Sequence, residues 1–426
     1  MTNRHFYVEN ARLMSYGLSN LGTQKTEIVI SGSEPISTLA GKLIGAGFHF
    51  DRNQYRYQLI DHTKDPNPFI RRAAYIGLSF AGFFESFDQI NETLQKGFND
   101  PELEVKKTAL IGFGLANMGN SQQGIGEVLD EHLNDDEWKI RSASGLAYSF
   151  LASGNPDYFS KFVDILKREE SPYVKVCSCW YVSNAFAGKR KGIEEYRKLL
   201  ALNGDDNSFF RDMACLGLGL SYLGTSEESV NELLEERIKT DNHPYVRESA
   251  FFGLALCNHQ TPSNELLEIM AKGINDDSMI VRGGAALSHG IAKMGTKSLG
   301  LNLNDYSDHS VLWGLTLSEG LANVTPSRTT FKDNYVQWGY QISNGFRDNI
   351  SIDLTSEHQD VESFQEGINA GLTGSCSSSN EERDAIRLLV PGVYHYLIYD
   401  SFWWGLWVLN ALGTTLHKRR TIDSVN

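Results

Sequence analysis

The chain has 426 residues, is 41% hydrophobic and carries a formal net charge of -14. Nucleic-acid backbones are polyanions and their binders carry a basic stripe, so a non-specific nucleic-acid binder is set aside. Ten prolines suit a largely helical chain, whereas 39 glycines need a reason of their own.

The amino-terminal MTNRHFYVENARLM contains no apolar run, so no secretory signal is expected and the location expected is cytoplasmic. Five cysteines (Cys177, Cys179, Cys215, Cys257 and Cys376) form no CxxC pair, and their number is odd. A disulfide framework does not fit, and a reducing compartment does. Residues 1–62 read as a cap or degenerate repeats, with EPISTLAGKLIGAG at 34–47 as an early unit.

From about residue 63 the chain is periodic. Arg71, Lys106, Arg141, Lys175, Arg211, Arg247 and Arg282 follow one another at steps of 35, 35, 34, 36, 36 and 35. An apolar residue precedes each of them: Ile70, Val105, Ile140, Val174, Phe210, Val246 and Val281. Six residues before each base stands an acid: Asp65, Asp100, Asp135, Glu169, Asp205, Asp241 and Asp276. Alanine or serine stands three residues after it, from Ala74 to Ala285. Glycine stands thirteen after it at Gly119, Gly154, Gly188, Gly224 and Gly295.

Each column has a physical reading. The acid opens a turn and accepts hydrogen bonds from the amides of the next helix's first turn. The apolar residue begins an inward stripe, and the small residue sits where two helices approach closely. Glycine stops the helix in a left-handed conformation. Upstream of each turn lies an amphipathic stretch, such as YFSKFVDILKREE from Tyr158 or NELLEIMAKGI from Asn264. A unit is therefore helix, turn, helix, loop, and it must stack on its neighbours to bury both faces. Asp308 and Gly320 mark an eighth unit, in which Gly314 replaces the base.

A 35-residue helical pair with Asp at the turn and Arg or Lys six residues on resembles the HEAT repeat. The resemblance implies an all-α, right-handed solenoid of stacked hairpins over 63–327. It also implies a ladder of hydrogen bonds between adjacent repeats, at positions from Asp65 with Arg71 through Asp276 with Arg282. The glycine-rich second helices, IGFGLANMG from Ile111 and LGLGLSYLG from Leu216, are similar to the proteasome/cyclosome variety of the repeat. That variety implies a scaffold subunit of a large assembly.

Residues 328–385 break the pattern and read as an irregular or partly β insertion. Residues 386–426 form an aromatic segment in which Trp403, Trp404 and Trp407 precede Lys418, Arg419 and Arg420. It reads as a buried helical cap, as a protein contact, or as a membrane contact in which aromatics adjoin a basic cluster. These six residues are the candidate contact site.

No Walker A loop, GxSxG elbow or HExxH motif occurs. The HEAT-like deoxyhypusine hydroxylases use His-Glu dipeptides as iron ligands, and the chain contains none. His289 replaces an apolar residue and reads as a buried structural histidine. The function expected is a non-catalytic scaffold or adaptor that binds protein through its concave face or its termini, without cofactor or metal. The alternatives are a membrane-held subunit and a HEAT-like enzyme or lyase.

Overall fold

A computed structural model describes residues 28–31, 36–48 and 52–332, apart from short gaps at 85–87, 119–124, 153, 260 and 323, together with residues 336 and 343. Cys376, the partly β segment expected within 328–385 and the candidate contacts Trp403, Trp404, Trp407, Lys418, Arg419 and Arg420 lie outside these residues, as does Gly119. Among the described residues the chain is all-α, with sixteen α-helices, five short 3-10 turns and no strand.

In chain order the helices are α1 (Ile36–Phe48), α2 (Arg52–His62), α3 (Pro68–Phe84), α4 (Asp88–Lys96), α5 (Leu103–Ala116) and α6 (Glu127–Asp130). Then come α7 (Trp138–Leu151), α8 (Phe159–Arg168), α9 (Pro172–Asn184), α10 (Ile193–Leu200) and α11 (Ser208–Ser221). The last five are α12 (Glu228–Thr240), α13 (Pro244–Cys257), α14 (Asn264–Gly273), α15 (Met279–Ala292) and α16 (His309–Leu321). The described residues fall into two compact units. One holds those up to 152 together with 161–181, and the other holds 154–160 and those from 182 onward.

Both units follow one plan, that of HEAT-like helical hairpins. In the first, α1, α3, α5 and α7 stack side by side as second helices, with α2 and α4 as first helices against α3 and α5. In the second, α11, α13, α15 and α16 stack likewise, backed by α10, α12 and α14. Helix α1 thus behaves as the second helix of an early unit. Reciprocal amide pairs clasp first to second helix at equivalent places, Asn91 with Asn117 and Asn231 with Asn258.

Glycine allows the second helices to come together. A Cβ added at Gly219 would meet the Gly253 Cα at 2.5 Å, and one added at Gly253 would run into the Cys215 carbonyl. Both contacts are backbone, which cannot swing aside. Gly253→Ala is therefore expected to destabilise the second unit by about 1–3 kcal/mol, as overpacking does. A lowered urea midpoint at an unchanged slope checks this.

Where it is described, the glycine column follows the second helices α7, α9, α11 and α15 as its spacing predicts. Gly154, Gly188, Gly224 and Gly295 have φ of 73°, 68°, 64° and 72°, where an L side chain is strained. Their amides also do something not anticipated. Each donates to a carbonyl in or next to the last turn of the following second helix: Asn184, Leu220, Leu256 and Leu321 respectively, at 2.8–3.0 Å. Two residues on, Arg190, Ser226 and Lys297 repeat the contact with Ser221, Cys257 and Ala322. This backbone ladder ties the carboxyl-terminal ends of the second helices within the second unit.

Candidate functional site

The conspicuous charged column joins adjacent repeats, but its pairing differs from the one expected. Arg71 grips the Asp100 carboxylate with two hydrogen bonds of 2.8 Å, and gives Asp65 only a bond to its backbone carbonyl. The same step links Lys106 to Asp135, Arg141 to Glu169, Arg211 to Asp241, Arg247 to Asp276 and Arg282 to Asp308. The reason is geometric. Each acid turns its carboxylate onto the amide two residues ahead, as Asp100 does for Glu102, and so faces the preceding repeat. The guanidinium behind it is left to close on its own turn's carbonyls. In the fifth repeat even that role passes from Asp205 to Leu202 and Gly204. The bound cations hold Asp100, Glu169, Asp241, Asp276 and Asp308 below the usual carboxylate range. These residues are structural.

The four described cysteines (Cys177, Cys179, Cys215 and Cys257) are free and buried, and burial pushes Cys177 up to about 12. His289 is buried too. Its Nε2 lies 2.9 Å from the Leu299 carbonyl, and burial lowers its pKa. A donor-bearing Nε2 in a neutral ring fits that contact. Among the described residues no cluster of histidine, cysteine, aspartate and glutamate is placed to hold a metal ion.

Two features remain that the columns did not reveal. The first is a carboxyl pair directly after the ladder base, Asp212 on α11 and Glu248 on α13. Asp212 is buried and accepts a short hydrogen bond from the Ser249 hydroxyl. Burial raises Asp212 to about 7, and burial together with Asp212 raises Glu248 to about 8. Glu248 lies across Gly284 of α15, where an added Cβ would meet its Cγ at 2.5 Å.

The second feature is a rim, present in each unit by itself. Beyond their first turn the second helices are almost entirely buried. Their exposed side chains are all at the start: Ile36 on α1, His309 on α16, Pro68 and Pro172, and the large Phe69, Trp138, Tyr173, Tyr245 and Met279. The large ones stand two or three residues before the ladder base, off the inward stripe, so the turn that positions the ladder also holds them in water. In the first unit Trp138 and Tyr173, 37% and 59% exposed, stack across adjacent repeats with ring centroids 4.9 Å apart and planes 28° from parallel. A signal was present in the sequence, namely an aromatic where the helical period calls for a polar residue.

These hairpins, ladders and left-handed stops decide the architecture. The fold is HEAT-like. No protein-family model matches the sequence, and no curated protein does. Among solved structures, the chain is similar to YibA of Escherichia coli at 14% identity and a TM-score of 0.33, over 62% of this chain and 93% of that one. It is similar to human deoxyhypusine hydroxylase at 14% identity and a TM-score of 0.27, over 67% and 96%. It is similar to the CpcE–CpcF complex of phycocyanin lyase from Nostoc sp. PCC7120 at 14% and 0.35, over 62% and 94%. The expectation that the chain is not an enzyme is corrected here. Two of these proteins are by name a hydroxylase and a lyase, so helical repeats of this kind do not set a chain apart from enzymes. Among the described residues no helix is long and apolar enough to cross a membrane.

Proposed function

We propose that the chain is a HEAT-type binding protein that holds a protein partner along the rim formed by the first turns of the second helices in its first unit. The stacked, exposed Trp138 and Tyr173 carry this reading. Large aromatics left in water on rigid helices are the side chains that dominate protein interfaces, and they lose little conformational entropy on docking. The first unit offers one more exposed aromatic at an equivalent first turn, Phe69, which suits an extended contact. We read the repeat as the proteasome/cyclosome variety. The close approach of Gly219 to Gly253 supports this, and a subunit of a larger assembly follows from it.

The test is a photo-crosslinking residue placed at Tyr173, or at Lys239 on the first helix α12, with irradiation in the native source. A discrete protein adduct from position 173 and none from 239 is expected. Equal labelling from both positions, or none from 173, sinks the reading. The same experiment on a chain lacking 386–426 separates the rim from the aromatic carboxyl-terminal segment. Adduct formation that survives the truncation assigns the contact to the rim.

A further inference from the structure

The chemistry around the aromatic step narrows the partner. Beside Trp138 stands Asp136, and beside Tyr173 stands Glu170, each the residue that follows a ladder acid. Both are exposed, and neither carboxylate has a hydrogen bond or ion pair among the described residues. The position recurs as exposed Asp206 and Asp277 in the second unit. The ladder cations next to the step, Lys106 and Arg141, are neutralised by Asp135 and Glu169. Among the described residues one cation approaches the rings, Lys139, at 5.9 Å from the indole centroid, which is the outer limit of a cation–π contact. At this step unpaired carboxylates thus adjoin aromatic faces, on a chain whose net charge is -14.

Resting on the rim as the contact surface, we propose that the Trp138–Tyr173 step binds an extended, arginine-rich segment of a protein partner. Guanidinium groups satisfy both halves of such a surface, stacking on the rings and pairing with the carboxylates. The spacing can be specified as well. Packed helices lie about 8–10 Å apart. An extended chain advances about 3.3–3.6 Å per residue, so successive turns match arginine at about every third position.

The experiment titrates the full chain with a labelled synthetic peptide carrying arginine at every third position, and reads fluorescence anisotropy. Binding that weakens with added salt is expected. Asp136→Asn with Glu170→Gln, and separately Trp138→Ala with Tyr173→Ala, are each expected to weaken it by about fivefold or more. Glu268→Gln, at an exposed carboxylate on the first helix α14, is expected to leave it unchanged. The proposal is overturned if the carboxylate double variant binds as the parent does. It is equally overturned if a peptide of the same composition with its arginines clustered binds as well, since that is undirected attraction to an acidic chain. If position 173 crosslinks to a protein while the peptide does not bind, the rim stands as an interface and the arginine-rich class falls.

Discussion

Asp241→Ala is expected to remove about 3–5 kcal/mol of stability, because it strands a buried guanidinium. Arg211 and Asp241 are only 7% and 8% exposed, and their two hydrogen bonds measure 2.7 and 3.0 Å. Without the carboxylate the Arg211 charge keeps only the carbonyls of Leu202 and Gly204. The His243 amide loses its acceptor as well. Urea denaturation measures the loss, and hydrogen exchange locates it in α11 and α13. The paired change Arg211→Met with Asp241→Leu removes the stranded charge. It still leaves the Leu202 and Gly204 carbonyls and the His243 amide without these partners, so recovery is expected to be incomplete by about 1–3 kcal/mol. Lys106→Met, at a rung 3.4 Å long and partly exposed on both sides, is expected to cost no more than about 1 kcal/mol. Equal losses at the two rungs would refute the view that burial, not pairing, sets the weight of each.

The ladder and the hairpins were legible because they repeat. A column of Asp, apolar residue and base at a 35-residue step has few physical explanations, and the left-handed stops at Gly154, Gly188, Gly224 and Gly295 follow from the same register. What the columns left open is which turn a carboxylate faces. Asp100 serves Arg71 and not Lys106 because its first obligation, to the Glu102 amide, sets its rotamer. The backbone ladder from Gly224 and Ser226 to Leu256 and Cys257 left no trace in residue type, since every residue but proline has an amide to give. The carboxyl pair was missed for a different reason. Asp212 and Glu248 occupy a column that elsewhere holds Arg72, Lys107, Ser142, Val176 and Gly283, so it has no repeated identity. The rim aromatics were hidden in the same way, spread over two adjacent columns as Phe69, Trp138, Tyr173 and Tyr245.

Asp212→Asn is expected to stabilise the chain at pH 8 and to do far less at pH 4.5. The sign follows from linkage. Burial holds the folded carboxyl up at about 7, while the unfolded chain releases that proton near 4. Its contribution to stability is therefore fully present below about 4 and is lost as pH rises towards 7, with no further change above. Three pH units correspond to about 4 kcal/mol, and sharing the cost with Glu248 brings the expected gain to about 2–4 kcal/mol. Asparagine keeps an acceptor for the Ser249 hydroxyl, so the packing of α11 on α13 is not otherwise disturbed. Among the described residues no cation offsets the charge, because Arg211 is committed to Asp241 and what faces Asp212 is a second carboxyl. The ladder runs the other way. Asp100, Glu169, Asp241, Asp276 and Asp308 titrate below their ordinary range, so their support is lost as pH falls through those lowered values. The parent chain should thus be most stable in mildly acid solution, and Asp212→Asn should flatten the alkaline side alone. Denaturation midpoints of both proteins between pH 4.5 and 8 decide it. Parallel curves would mean that Asp212 is already ionised in the fold, and that the pair with Glu248 is solvated rather than buried.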